Sequence, residues 1–266
     1  MWTGLLTYRY LNKTNPVLDA GCDRESMPLR HDMRNAHGGV MAAPLAIACP
    51  EPWWNDSETI PAPLVASLQI LDDARGVRRV EVVRDVVHIG RKNGFSRSRI
   101  VDADDPARVI ATSAGMGVSL GDVPGGYEKA DNAPLPVEDA PGMPRLHEVF
   151  GAVRGGDGLW RLPPLEAEQA APHAALHLGP IHIVLETAAM NCAADFARTD
   201  GIQVESWFVM FSRPGVTGPF RATASALPAS RERIHVDLTL HDEGRGDRVI
   251  TTGSASFRRI DPGRRS

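Results

Sequence analysis

Two stretches of the chain are apolar on every side and are expected to form helices. The first, HGGVMAAPLAIA, runs from His37 to Ala48 and contains no charged residue. The second, HLGPIHIVLETAAM, runs from His177 to Met190 and contains one, Glu186. A helix that is apolar all round must be covered on every side. The pattern therefore predicts two buried helices, the first of which is opened by His-Gly-Gly.

Extended segments follow each predicted helix. The clearest is RIHVDLTLHD, in which every second residue from Ile234 to Leu240 is aliphatic, a period typical of strands with one buried face. Comparable segments occupy 202–211, 220–229 and 248–260 in the second half and 64–71, 78–89, 94–103 and 108–120 in the first. A shorter strand candidate precedes each helix. We therefore expect about four main strands in each half, wrapped around that half's helix.

A constant offset relates the two halves. His37 and His177 are 140 residues apart (177 − 37), and the same offset places RVIATSA, 108–114, on RVITTGS, 248–254. A repeat this long indicates a duplicated domain rather than a solenoid unit. Segment 121–144 is rich in Pro, Gly and acidic residues, which is typical of an exposed linker. We predict an N-terminal domain over 1–120, a linker over 121–147 and a C-terminal domain over 148–266.

Composition narrows the class of protein. Of the 266 residues, 42% are apolar and 23% charged, as in globular proteins with a sizeable core. The formal net charge of −4 argues against nucleic acid or an anionic membrane as a partner. The N-terminus has no signal-peptide pattern and no apolar run is long enough to span a membrane, so we expect a cytoplasmic protein.

Cofactor chemistry has no signal in the sequence. The three cysteines lack metal-type spacing and are expected to be reduced. No glycine-rich nucleotide loop follows a strand, and no His/Cys cluster has ligand spacing. We therefore expect neither a cofactor nor a metal.

Several motifs resemble those of one fold family. HGG opens the first apolar helix, and SRPGVTGPFRATASAL, 212–227, follows the first long strand of the second half. With the repeat, these resemble the hotdog fold and, within it, acyl-CoA thioesterases of the phenylacetate-pathway type. HIGRKNGFSRSRIVDADDPARVIATSAG, 88–115, is similar to acyl-CoA thioesterase II. The resemblance implies an α+β double hotdog, with two antiparallel sheets that each wrap a long apolar helix.

The resemblance also implies a reaction and the groups that perform it. In such thioesterases a helix carboxylate activates water or attacks the thioester, and backbone N–H groups at the partner helix N-terminus stabilise the oxyanion. Nine residues beyond His177, Glu186 stands in the acidic position of the family motif. Gly38 and Gly39 would supply the amides, and His37 either bonds the backbone at the helix start or contacts substrate.

Each half lacks a catalytic group that is present in the other half. The position of Glu186 corresponds to Ala46 in the first half, and Gly38-Gly39 corresponds to Leu178-Gly179, followed by Pro180. Alanine can do no acid–base chemistry, and proline has no N–H to donate. We therefore expect one working site, formed by Glu186 and the Gly38–Gly39 amides, and one inactive pseudo-site.

Further side chains are candidates for substrate binding. Asn35 lies near the expected entrance or makes a turn, and His177 and His182 point into the site or are satisfied core histidines. His182 precedes Glu186 by four residues and would share its helix face. A basic run could hold the phosphates of coenzyme A or be a solvated strand and turn; it consists of Arg91, Lys92, Arg97 and Arg99. Trp53 and Trp54 would close the core or line an acyl pocket.

Three functions compete. The first is hydrolysis of an acyl thioester to a free acid and coenzyme A. The second is hydration or dehydration of an acyl thioester, because GPIHIVLETAA is also similar to the Pro-Gly…Glu helix of hydroxyacyl-carrier-protein dehydratases. The third is non-catalytic binding of acyl-CoA. On family grounds we also expect a homo-oligomer.

Overall fold

The computed structural model describes residues 5–13, 24–49, 59–122, 133–171, 173–228, 230 and 232–260. Trp53, Trp54 and Cys22 lie outside these residues. The helices are α1 (Leu6–Leu11), α2 (Ala42–Ala48), α3 (Leu146–Val149) and α4 (Leu178–Ala197). The strands are β1 (Arg24–Pro28), β2 (Thr59–Ile70), β3 (Arg79–Ile89), β4 (Asn93–Asp102), β5 (Val109–Asp122), β6 (Val153–Arg154), β7 (Trp160–Leu162), β8 (Ile202–Phe211), β9 (Phe220–Pro228), β10 (Arg233–Asp242) and β11 (Arg248–Arg259). The eight long strands predicted from alternation are confirmed.

All described strands belong to one antiparallel sheet, in the order β1-β3-β4-β5-β2-β8-β11-β10-β9-β7-β6. The expectation of two sheets is therefore not confirmed. The halves join where β2 pairs with β8, for instance at Leu68 and Trp207. This pairing satisfies the backbone hydrogen-bonding groups of two edge strands that would otherwise remain exposed. On either side of the joint, β5, β4 and β3 mirror β11, β10 and β9.

The two apolar helices differ in length, so the expectation of a long helix in each half is not confirmed either. α4 has 20 residues, is buried along its first half and packs against β9, β10 and α2. α2 has only seven residues, all of them buried. With the offset of 140, the start of α4 at Leu178 corresponds to Gly38, whereas α2 begins four residues later, at Ala42. The first half therefore lacks the first turn of its helix.

The domain limits remain a prediction. β5 continues to Asp122 and α3 begins at Leu146, so ordered elements enter both ends of the predicted linker. Leu135 and Val137, also in this segment, pack against the core. In the described residues, no helix is long and apolar enough to cross a membrane.

Candidate active site

Glu186 joins the two halves. Its side chain is fully buried in the first half of α4. Oε1 accepts a hydrogen bond from the backbone N–H of Ala42 at 2.6 Å, and Oε2 accepts one from Ala43, also at 2.6 Å. These are the first two amides of α2, which have no partner within their own helix. The carboxylate thus lies on the N-terminus of the other half's helix.

Two opposing effects set the protonation of Glu186. Burial raises the pKa of its carboxyl, while the hydrogen bonds from Ala43 and Ala42 lower it, and the net result is a pKa of about 7. The usual value is about 4.3. Near neutral pH the group therefore exchanges readily between a charged and a neutral form, as a general base requires.

The His-Gly-Gly motif forms a turn before α2 and does not open the helix. Asn35 organises this turn: its Oδ1 accepts from the amides of His37 at 2.9 Å and Gly39 at 3.0 Å, and its carbonyl accepts from Gly38 at 3.0 Å. The expectation that the Gly38 and Gly39 amides face a substrate is wrong, because Asn35 occupies both. Gly38 has a φ of +81°, which a helix does not allow, so the helical turn is delayed until Ala42.

Gln203 at the start of β8 holds this turn from the other half and was missed in the sequence. Its Oε1 accepts from Nδ2 of Asn35 at 2.7 Å, and its Nε2 donates to the carbonyl of Val40 at 2.8 Å. A Cβ on Gly39 would lie 1.9 Å from the same Oε1, so Gly39 permits this close approach. The signal was present, since Gln203 is a polar residue between the aliphatic residues Ile202 and Val204 at the buried start of the strand.

Two predicted residues lie away from the Glu186 carboxylate. The His37 side chain is exposed beside Gly201. His177 caps α4, where its Nδ1 accepts from the amide of Gly179 at 3.2 Å and lies 3.3 Å from the Thr7 hydroxyl. Burial, assisted by His182 and His173, lowers the pKa of His177 to about 3. His177 is thus a neutral helix cap.

His182 is fixed by Trp207. The indole Nε1–H of Trp207 donates to Nδ1 of His182 at 3.0 Å, and both side chains are buried. Burial lowers the pKa of His182 to about 3, so the ring is neutral at pH 7. Because Nδ1 accepts, the proton of the neutral ring resides on Nε2. Within the described part of the chain, no contact links His182 to the Glu186 carboxylate.

A pocket lies one helical turn from Glu186, on the side predicted to be inactive. Its walls come from the last turn of α2, the first turns of α4 and residues of β2, β4, β5 and β8. The cavity has a volume of about 40 Å³ and is open to solvent at its mouth. Its lining includes Ala46, Leu178, His182, Trp207, Ser96 and Ser113. The small side chain of Ala46, which corresponds to Glu186, helps to leave this space open.

The pocket contains no ready nucleophile or metal site. Cys49 also lines it, but burial raises the pKa of its thiol to about 11, so the reactive thiolate is disfavoured. No group of His, Cys, Asp or Glu within the described ranges is arranged to hold a metal.

The basic run lies on the outer face of the sheet. Arg91 and Lys92 are exposed at the turn between β3 and β4. Arg97 pairs with Asp85 at 2.5 Å. With Arg99 it lines a broad cleft of about 660 Å³, open to solvent, that shares Ser67, Ser113 and Ala114 with the pocket. The two cavities therefore adjoin.

Comparisons with known proteins agree on the fold. No protein-family model and no curated protein matches the sequence. Among solved structures, a tesB protein of Mycobacterium avium subspecies paratuberculosis is 10% identical with a TM-score of 0.62, over 96% of this chain and 98% of that one. Acyl-CoA thioesterase II TesB2 of Mycobacterium marinum is 11% identical with a TM-score of 0.61, over 97% and 99%.

A protein of Alicyclobacillus acidocaldarius with the hot dog fold is 12% identical with a TM-score of 0.58, over 94% of this chain and 99% of that chain. These likenesses extend over almost the whole length of both chains. The hotdog fold predicted from the motifs is thereby confirmed.

Proposed function

We propose that the protein hydrolyses acyl thioesters at the contact between α2 and α4. One observation carries this proposal: Glu186, an ionisable side chain buried in the core, bonds the N-terminus of the partner helix one turn from a pocket. A buried carboxyl with a pKa of about 7 is typical of functional sites. Solved structures similar to this chain include an acyl-CoA thioesterase II, which supports the same reaction.

Glu186 would act as the general base. Its carboxylate takes a proton from water, and the resulting hydroxide attacks the thioester carbonyl to form a tetrahedral intermediate. The carbon–sulfur bond then breaks as the protonated Glu186 returns this proton to the departing sulfur, which releases the acid and the thiol and restores the carboxylate. The Ala42 and Ala43 amides keep the carboxylate in place. As the carboxylate is fully buried, water and substrate reach it only when the contact between α2 and α4 opens toward the pocket.

His182 would polarise the thioester carbonyl. It lines the pocket, and its neutral ring presents a fixed Nε2–H donor because Trp207 occupies Nδ1. A preorganised donor aimed at developing negative charge is worth far more in a buried site than in water. In this proposal Asn35, Gly38 and Gly39 position the start of α2 and do not touch the substrate.

Hydration or dehydration of an acyl thioester is not the favoured function. That chemistry needs a histidine from one half beside the carboxylate of the other. Among the described residues, the hydrogen-bond partners of Glu186 are the two backbone amides, and His37 lies exposed beside Gly201. Non-catalytic binding is not favoured either, because binding alone gives no reason to keep a buried, titratable carboxyl.

Coenzyme A is the proposed thiol carrier. The outer cleft adjoins the pocket and carries Arg97 and Arg99, whose guanidinium groups suit phosphate. Arg97 is partly neutralised by Asp85, so Arg99 is the stronger candidate. We also propose a cytoplasmic location and no nucleic-acid partner, in keeping with the net charge of −4.

A homo-oligomer is supported by apolar side chains on the outer face. Phe95 pairs with Met116, Met116 with Val65, and Val65 with Met210, so the four form a row across four strands. Phe95 is 39% exposed and Met210 44% exposed. Size-exclusion chromatography with light scattering measures the oligomeric state directly.

The test of the proposed function is thiol release from a panel of acyl-CoA thioesters by the purified chain and its Glu186→Ala variant. We expect kcat/KM to fall by about 100-fold or more, the scale of general-base catalysis. Thr187→Ala is the matched control, because the Thr187 hydroxyl bonds only the Ile183 carbonyl of its own helix. Undiminished hydrolysis by a folded Glu186→Ala variant would disprove the proposal.

A further inference from the structure

The inner faces of two equivalent strands differ in chemistry. β4 (Asn93–Asp102) and β10 (Arg233–Asp242) are related by the offset of 140 and have the same length. β10 places Val236 and Leu238 in the core, whereas β4 places Ser96 and Ser98 at the corresponding positions. All four side chains are at least nine-tenths buried. The first half has thus exchanged aliphatic volume for hydroxyl groups where the second half has not.

Ser96 lines the pocket with a hydroxyl that the protein leaves without a partner. Its side chain is 4% exposed, and no described residue forms a hydrogen bond with it. Across the pair with β5 it meets Gly115, which adds no side chain to the pocket. A hydroxyl that lines a pocket and is bonded by no described residue is available to a group that enters the pocket.

Ser113 adds a second hydroxyl to the same wall. It lies on β5 beside Cys49, whose thiol it contacts. His182, on α4, lines the same pocket from the helix side. Polar groups therefore occur on the sheet wall and on the helix wall, with Ala46, Ala66 and Leu178 among the residues that complete the lining. A saturated hydrocarbon chain would cover the Ser96 hydroxyl without forming a hydrogen bond to it.

We propose that the pocket binds an acyl group that carries a hydroxyl substituent, and that Ser96 and Ser113 hydrogen-bond this substituent. The inference rests on the proposed function and names its substrate class: short hydroxyacyl thioesters. The carbonyl faces His182, and the substituent faces the serines of the sheet.

The test compares matched thioesters. We would measure kcat/KM for butyryl-CoA and for hydroxybutyryl-CoA with the hydroxyl on the third or the fourth carbon, and for the six-carbon equivalents. The wild-type chain should prefer a hydroxylated member by about tenfold or more, since a site built to bond a hydroxyl rejects the analogue that lacks it. Ser96→Val, which installs the residue of the other half, should abolish the preference. Ser113→Ala should reduce it.

The control is Ser225→Ala, an exposed serine on β9 in the other half, which should keep the preference. Equal or better use of the unsubstituted thioesters by the wild type would overturn the proposal. So would a preference that survives in Ser96→Val.

Binding of the free acids separates this proposal from the proposed function. Calorimetry with butyrate and the hydroxybutyrates needs no turnover. One outcome is a wild-type chain that hydrolyses no thioester but binds the hydroxy acids more tightly than butyrate, with the difference in affinity lost in Ser96→Val. This result would support the pocket assignment and refute the proposed hydrolase function. Hydrolysis with no preference for hydroxylated thioesters would support the hydrolase function and refute the pocket assignment. The absence of both hydrolysis and preferential binding refutes the two together.

Discussion

Oε1 of Glu186 lies 2.6 Å from the backbone nitrogen of Ala42, across 144 positions of the sequence. This contact exists because the two halves are no longer alike. α4 begins at the position that corresponds to Gly38, but α2 begins at Ala42. The missing turn leaves the amides of Ala42 and Ala43 free, and Glu186 fills the vacated place. The loss of helix in one half and the retention of an acid in the other are therefore parts of one arrangement.

Burial of Glu186 predicts a loss of stability as the pH rises. The native pKa of about 7 is raised above the unfolded value of 4.5, so the native state binds the proton more tightly. Its contribution is fully present below pH 4.5 and disappears as the pH rises through about 7. The difference corresponds to about 3 kcal/mol. Glu186→Gln cannot titrate, and its unfolding free energy should change by about 3 kcal/mol less than that of the wild type between pH 4.5 and 8.

Urea unfolding of both chains across this pH range measures the difference. Parallel pH profiles would contradict a raised native pKa. The His182 ring does not complicate the comparison, because both chains retain it.

The sequence predicted the elements of this fold more fully than their contacts. Alternation along 234–240 and the apolar run 178–190 are local properties, so β10 and α4 could be predicted. Glu186 stood out as the only charged residue in that run. The turn at Gly38 could not be predicted, because its positive φ is stabilised by Asn35 and Gln203, which are 168 residues apart. The pocket at Ala46 was likewise unexpected, since its lining combines residues from four strands and two helices.

Trp207→Phe should lower turnover without weakening binding. Phenylalanine preserves most of the buried shape but removes the N–H that bonds Nδ1 of His182. The neutral imidazole would then share its proton between both nitrogens, and the donor facing the pocket would be present only part of the time. We expect kcat to fall by about tenfold, within the range found for single preorganised donors, with KM changed little.

Nitrogen NMR of the His182 ring checks the cause by reporting the tautomer directly. Trp160→Phe is the control, since the indole Nε1 of Trp160 is buried and has no hydrogen-bond partner among the described residues. A single unchanged His182 tautomer in Trp207→Phe would rule out this role for the indole.

Asn35→Ala should destabilise the protein through the turn before α2. The side chain accepts from the amides of His37 and Gly39 and donates to Gln203. Loss of these bonds leaves partly buried groups unpaired, and we expect the unfolding free energy to fall by about 2 kcal/mol. His37→Ala removes only an exposed side chain and should stay within about 0.5 kcal/mol of the wild type. Denaturant unfolding measures the unfolding free energy of both variants. Equal losses of stability in the two variants would show that the turn does not depend on Asn35.

Moving the acid to the other half should not restore activity. Ala46 corresponds to Glu186, so Ala46→Glu in a Glu186→Ala background is the mirror arrangement. The amides that correspond to Ala42 and Ala43 belong to His182 and Ile183, which lie inside α4 and bond the preceding turn of their own helix. The new carboxylate therefore finds no donors, and it also occupies the pocket.

We expect kcat/KM of this double variant to stay within about threefold of Glu186→Ala, a difference well under 1 kcal/mol in transition-state stabilisation. Ala46→Gln in the same background controls for the added volume. A gain of about tenfold or more over that control would mean that a carboxylate works at either position. The helix turn lost before Ala42 would then be irrelevant to catalysis.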